Sequence, residues 1–167
     1  MREAAASRLA TTAYRLTRAP WADLSGEGAR LKGGRWNSPG KAVVYLAEEV
    51  ALPVLEILVH LDLPPELLPD DYVLMRADLS VLETAASGAW CEDGPEATMS
   101  EADSRAFGDR WIDEARTPVL RVPSVVVAES RILVLNVGHP LAATIPAPSR
   151  RPFAFDPRLL DPGGGGA

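Results

Sequence analysis

The run VALPVLEILVHL, residues 50–61, places a carboxylate, Glu56, where nearly every neighbour is apolar. Taking an unpaired carboxylate out of water is costly, so Glu56 needs a partner or lines a cavity where its charge acts. On a helix its same-face neighbours are Leu52, Pro53, Val59 and His60. None carries a permanent positive charge, so a cationic partner has to come from a distant segment. A structural ion pair and a catalytic role stand side by side on these grounds. Arg35 follows Gly33 and Gly34 and precedes Trp36 and Asn37. Adjacent glycines let the backbone turn sharply and approach a ligand closely, and a guanidinium grips phosphate or carboxylate in a bidentate manner. Read locally, the same residues also describe an exposed arginine on a turn. Tyr45, flanked by Val43, Val44 and Leu46, reads as a core aromatic whose hydroxyl needs a partner, or as the edge of a pocket. Ser124, in VPSVVV, reads locally as a serine bonded to its own backbone at a turn. No GxSxG elbow surrounds it, and the glycines form neither a P-loop nor a dinucleotide fingerprint.

Bulk properties exclude several classes. The chain has 167 residues, 47% hydrophobic and 24% charged, which fits one soluble globular domain with a sizeable core. Its net charge of −6 disfavours a general nucleic-acid binder. The run from Val50 to Leu61 is too short and too polar to span a bilayer. Arg8 interrupts the apolar character of the N-terminus, so no secretory leader is expected. A single cysteine, Cys91, forms no intrachain disulfide and fits a reducing cytoplasm. His60 and His139 stand alone, without metal-ligand spacing.

The elements that must position these residues follow from pattern. Residues 1–12 read as a loosely helical arm and 163–167 as part of a Gly-rich tail covering 161–167. Residues 13–18 read as a first strand, followed by a long Gly-rich loop through residue 34. After the NSPGK turn, AVVYLA reads as a short buried strand. A helix is expected over residues 48–61, its regular part starting at Pro53. DYVLMRADL, 71–79, reads as a strand, and 80–99 as mixed and loop-rich. A helix is expected over 100–115, with Ser100 as N-cap and Phe107, Trp111 and Ala115 on one face. The stretch PVLRVPSVVVAESRILVLN gives two or three β-rich runs, with a hairpin turning at ES between VVVA and RILVLN. His139 and Asn136 read as turn and loop residues, and the acidic stretch from Glu92 to Glu101 as solvated. The mixed order points to an α+β domain.

Taken in order, the pieces resemble the RES domain, a family named for Arg, Glu and Ser residues. YR near the start, EGARLKGGRWNSPG, AVVYLAEE, LPVLEILVHL, the tryptophan of FGDRW, LRVPSVVV, the asparagine of LVLNVGHP and FAFDPRLL follow the family order. The resemblance spans about residues 13–160. It implies an ADP-ribosyltransferase-like fold, a single α+β domain with a split, mixed β-sheet around an NAD-binding cleft. It carries the family's arginine onto Arg35, its glutamate onto Glu56, its serine onto Ser124 and its tyrosine onto Tyr45. Arg15 matches an arginine that follows an aromatic near the N-terminus. Where many members carry alanine before the glutamate's turn, this chain has Pro53, which could shift the start of that helix.

The implied activity is that of a toxin of a type II toxin–antitoxin pair that depletes NAD by breaking the nicotinamide–ribose bond, with water or phosphate as acceptor. NAD is then the substrate and no further cofactor is implied. Glu56 would stabilise the cationic sugar, Arg35 with Arg15 would hold the pyrophosphate, Tyr45 would border the nicotinamide, and Ser124 and Asn37 would complete the dinucleotide site. The other readings are an ADP-ribosyltransferase acting on a protein, and a catalytically silent domain that only binds an antitoxin. The implied partner is an Xre or helix-turn-helix antitoxin, in a complex with several copies of each chain. DNA contacts would lie on the antitoxin, with no membrane involved and the cytoplasm as the compartment.

Overall fold

The computed structural model describes residues 9–61, 64, 67–96 and 98–160. Most of the N-terminal arm and the tail 161–167 lie outside these residues. Seven strands form one sheet: β1 (Thr12–Arg18), β2 (Val43–Ala47), β3 (Tyr72–Asp78), β4 (Cys91–Asp93), β5 (Val119–Pro123), β6 (Arg131–Asn136) and β7 (Ser149–Pro152). Their spatial order is β4-β5-β6-β2-β1-β3-β7. Only β4 and β5 run parallel, so the sheet is mixed. Among the described residues four α-helices accompany it: α1 (Glu27–Lys32), α2 (Leu52–Val59), α3 (Ser80–Ala85) and α4 (Glu101–Glu114). The architecture is α+β.

The sheet is tightly laddered everywhere but at its centre. β1 and β3 share seven registered pairs, while β2 and β6 share five. Between β1 and β2 a single pair, Tyr14 with Ala47, holds the register. The sheet is therefore split into two leaves, β4-β5-β6-β2 and β1-β3-β7, hinged at that pair. Backbone polar groups that leave a ladder need other partners, so a split is a natural place for side chains and ligands.

Side-chain alternation along the strands builds two cores. On one face Ala13, Val44, Leu46, Ala77, Leu133 and Leu135 pack with Leu79 and Leu82, the latter on α3. On the other, Val43, Leu120, Val122 and Val134 pack against Trp36 and the fully buried Trp111 of α4. Ser100 caps α4, its hydroxyl accepting from the Asp103 amide at 3.1 Å. The cap and the buried Trp111 were both legible in the pattern; the indole donates to Thr117 Oγ1 at 3.1 Å.

Several expectations are corrected. The loop expected up to residue 34 contains α1, and the stretch 80–99 contains α3 and β4; both helices have six residues, too few for a periodic apolar stripe to show. Glu92 and Asp93 of the acidic stretch belong to β4 and pair with Arg116 and Arg121, so its start is not simply solvated. VVVA is not a strand. The hairpin joins β5 to β6 directly, with Val119 opposite Leu135 and Pro123 opposite Arg131, and 124–130 is its loop. Asn136 is not a loop residue either. It ends β6 fully buried, donating to the Ile112 carbonyl at 3.0 Å and accepting from the Gly138 amide at 3.0 Å. His139 does sit at a turn, where its Nδ1 accepts from the Leu141 amide at 3.1 Å. Helix α2 begins at Leu52, so Pro53 is its second residue, where a missing N–H leaves no bond unmade.

Candidate active site

The split opens into a cleft of about 260 Å³. Its floor is the diverging pair of strands, Tyr14, Arg15 and Leu16 from β1 facing Tyr45, Leu46 and Ala47 from β2. Pro53, Glu56 and Ile57 of α2 form one wall. Pro123, Ser124 and Val125, where β5 ends, form another, and Arg35 and Trp36 close the remaining side. Five of the six residues singled out from sequence meet here: Arg15, Arg35, Tyr45, Glu56 and Ser124.

Glu56 is half-buried rather than enclosed. Helix α2 is apolar on more than its inner face: Leu55 is 39% and Val59 62% exposed. That is why the run looked like continuous core. Ser124, itself buried, donates its hydroxyl proton to Glu56 Oε1 at 2.7 Å. The same Oγ accepts from the amides of Val126 at 3.0 Å and Val127 at 3.2 Å. These two donors turn the chain after β5 and fix the hydroxyl so that its proton points at the carboxylate. The local reading of Ser124 is thus met, and the same oxygen also bonds Glu56 in the cleft.

Arg15 is held from below, its Nη1 donating to the Asp23 carbonyl at 3.1 Å. Burial lowers its guanidinium from the ordinary value, with the charge of Asp23 acting in the opposite sense. Arg35 donates from Nη2 to the Met99 carbonyl at 2.7 Å, just ahead of the Ser100 cap. The turn carrying it depends on glycine. Gly33 has φ +72°, the left-handed region. A Cβ on Gly34 would lie 2.6 Å from the Tyr45 hydroxyl.

Tyr45 offers its ring to the cleft while its hydroxyl is fully engaged. It donates to Asn37 Oδ1 at 2.7 Å and accepts from the Trp36 amide at 3.0 Å. Burial pushes its pKa up to about 12, so it stays a neutral phenol at ordinary pH. Asn37 does not reach the cleft. It is fully buried, and its amide donates to the carbonyls of Ala29 at 2.9 Å, Lys41 at 3.0 Å and Ser38 at 3.3 Å. The expectation that Asn37 contacts a ligand is replaced by a positioning role, because every polar atom of its side chain is committed to the turn or to Tyr45.

Sequence reasoning missed what lies behind the turn. Gly108 of α4 has no side chain where the Trp36 carbonyl packs; a Cβ there would fall 1.9 Å from that oxygen. Asp109 receives both the amide and the hydroxyl of Ser38, at 2.8 and 2.6 Å. The available signal was the GD of FGDRW, a glycine inside a helix where it costs about 1 kcal/mol relative to alanine and so needs a packing reason.

Chemically the cleft combines a carboxylate with a fixed hydroxyl donor, two guanidinium groups and an apolar, aromatic-edged floor. Such a set suits an anionic ligand with a planar ring and a reacting centre that gains positive charge beside Glu56.

The chain is 38% identical over 146 residues, 83% of its length and 87% of the relative's, to a protein of Sphingobium sp. named Prs ADP-ribosylating toxin. It is 34% identical to a Pseudomonas putida protein named Toxin Res, covering 73% of this chain and 83% of that one. Its fold matches a chain of the M. tuberculosis MbcT–MbcA toxin–antitoxin complex with a TM-score of 0.65 over 87% of this chain and 85% of that one, at 20% identity. The RES domain profile covers residues 12–156, from the first residue of β1 past the end of β7 and through all five cleft residues, and on that extent the chain belongs to the RES domain family.

Proposed function

We propose that the protein is a toxin that breaks the nicotinamide–ribose bond of NAD, passing ADP-ribose to water or phosphate and so depleting the dinucleotide. The observation that carries this reading is the Glu56–Ser124 pair at 2.7 Å in a cleft that also presents Arg15 and Arg35. Nicotinamide is a cationic leaving group. As it departs, positive charge moves onto the ribose, and a preorganised carboxylate beside C1 stabilises that charge more in the transition state than in the ground state. Ser124 holds the Glu56 carboxylate in place and can pass its donor to a ribose hydroxyl. Arg15 and Arg35 hold the pyrophosphate, and the Tyr45 ring borders the nicotinamide. Tyr45, neutral and doubly bonded, binds and orients without transferring a proton.

A second reading is favoured by one observation: the relative 38% identical to this chain is named an ADP-ribosylating toxin. In that reading the bond broken is the same and a protein side chain takes the ADP-ribose.

A toxin of either kind needs an inhibitor in its own cell. The neighbouring fold comes from a toxin–antitoxin complex. Val125 of the cleft lining is exposed, as are Leu55 and Val59 of α2, the helix that carries Glu56, and exposed apolar residues suit a covering protein. A helix-turn-helix antitoxin in several copies fits that role, with DNA contacts on the antitoxin because this chain carries a net charge of −6. Among the described residues no helix is long and apolar enough to cross a membrane.

Glu56→Gln tests the chemistry. It keeps the shape and a hydrogen-bond acceptor for Ser124 while removing the charge. Nicotinamide release from NAD is expected to fall by at least ~100-fold with the fold retained. Release near the wild-type rate would remove Glu56 from the reaction.

A further inference from the structure

We propose that Asp109, on the outer helix α4 and absent from the cleft lining, is a positioning residue for Arg35, and that α4 thereby tunes the affinity of the cleft for the dinucleotide's phosphates. The inference rests on the NAD reading for its ligand but on separate geometry for its mechanism.

The turn 33–38 is clamped between two bodies. On the inner side Asn37 and the Tyr45 hydroxyl bind each other at 2.7 Å, and the Tyr45 hydroxyl takes the Trp36 amide at 3.0 Å. On the outer side the contacts come from a single short stretch, residues 99–109. The Met99 carbonyl receives Arg35 Nη2 at 2.7 Å. Arg105 Nε donates to the Gly34 carbonyl at 3.1 Å. Gly108 admits the Trp36 carbonyl where any Cβ would collide with it. Phe107 meets the Trp36 ring edge-on, with centroids 6.2 Å apart. Asp109 closes the set with the paired Ser38 bonds at 2.8 and 2.6 Å. Residues 34, 35, 36 and 38 are each held by the lead-in to α4 or by α4 itself.

Within that set Asp109 has the greatest leverage. Its two bonds are charge-assisted, about twice as strong as neutral ones. They fix both the backbone and the side chain of Ser38, three residues from Arg35, at the far end of a turn whose near end is two glycines. Glycines permit many conformations, so the backbone that carries Arg35 depends on what grips the turn beyond them, while the Met99 carbonyl holds the guanidinium itself. An arginine clamp depends on fork geometry, and small displacements are expensive. Glu56 and Ser124 stand on α2 and the end of β5, whereas the hydrogen bonds of Asp109 go to Ser38.

The consequence is a separation of roles. Asp109→Asn keeps the shape but removes the charge: its oxygen can accept from the Ser38 amide and its nitrogen can donate to the Ser38 hydroxyl, so the charge assistance of both bonds is lost. It loosens the turn without emptying it. ADP-ribose, which carries the pyrophosphate and is not consumed, is the probe. Calorimetry is done on the wild-type chain, Asp109→Asn, Arg35→Lys and the double variant. Asp109→Asn is expected to weaken ADP-ribose binding roughly tenfold, and to add nothing in the Arg35→Lys background, because both act through one guanidinium. With NAD the same change is expected in KM, with kcat within about twofold of wild type. Unchanged binding in Asp109→Asn, or full additivity with Arg35→Lys, overturns the proposal. If the wild-type chain binds no ADP-ribose, the NAD reading itself falls. The positioning claim is then decided by the Arg35 Nε–H NMR resonance, expected to move in Asp109→Asn and to stay in place in Glu129→Gln, a change at an exposed carboxylate on the 124–130 loop. A resonance unmoved by Asp109→Asn would refute it.

Discussion

At the scale of the residue, the site works by committing polar atoms in advance. The Ser124 oxygen takes two amides and gives its proton to Glu56, while the Tyr45 hydroxyl spans Asn37 and Trp36. The same burial has a cost at high pH. Burial pushes the Tyr45 phenol from its ordinary value of 10.0 to about 12, and the Cys91 thiol from 9.0 to about 12. In both cases the folded chain keeps a proton that the unfolded chain gives up first. This stabilisation is complete below pH about 9 and is lost as pH rises toward 12, at up to about 1.4 kcal/mol per pH unit for each group. Thermal unfolding between pH 8 and 11 is expected to show a falling Tm for the wild-type chain. The fall is expected to be shallower for Cys91→Ala, and parallel curves would contradict it. Glu56 amid apolar neighbours is an anomaly in its setting, whereas Arg35, Tyr45 and Ser124 have ordinary local readings and Arg15 enters only through the family resemblance; the cleft is lined by all five. Asn37 was misplaced because nothing in GGRWN tells a buried amide from one facing a ligand.

At the scale of the element, the site depends on keeping α2 and the β5 end in register. Glu48, on the lead-in to α2, pairs with Arg121 of β5 at 2.6 Å. The two side chains are only 18% and 16% exposed, so solvent screens them weakly. The bond joins the segment before Glu56 to the segment before Ser124. Arg121→Met leaves Glu48 half-buried without its main partner and is expected to destabilise the fold by about 1–3 kcal/mol, between the values for surface and fully buried pairs. Pairing it with Glu48→Gln is expected to recover part of that loss. Chemical denaturation of the three variants measures it, and a change within 0.5 kcal/mol for Arg121→Met would sink the idea. The longer elements were readable: β1, β2, β3, α2 and α4 fall where alternation, Pro53 and the Ser100 cap put them. The misread ones have specific causes. VVVA has strand composition but follows Ser124, whose hydroxyl captures two of its amides and bends it into a loop. β4, with three residues, and β7, SRRP, carry too little pattern to be seen before their partners are known.

At the scale of the molecule, function comes from a break in regularity. A sheet paired continuously from edge to edge would have no cleft; this one is joined at its centre by one pair, Tyr14 with Ala47. Arg15 of β1 and Arg35 of the 33–38 turn meet in this cleft, in a chain whose net charge is −6. On the proposed function, these two guanidinium groups would attract the phosphates of a dinucleotide to the split. The split itself could not be read from local sequence, because it is a relation between strands 30 residues apart; only the ordered resemblance of the whole chain implied it. The measurement that tests the central claim most directly is incubation of the pure chain with NAD, with and without phosphate, and identification of the products by mass. Free nicotinamide is expected together with ADP-ribose, or with its 1″-phosphate when phosphate is present. NAD recovered intact in both conditions, from a folded chain free of any inhibitor, would contradict it.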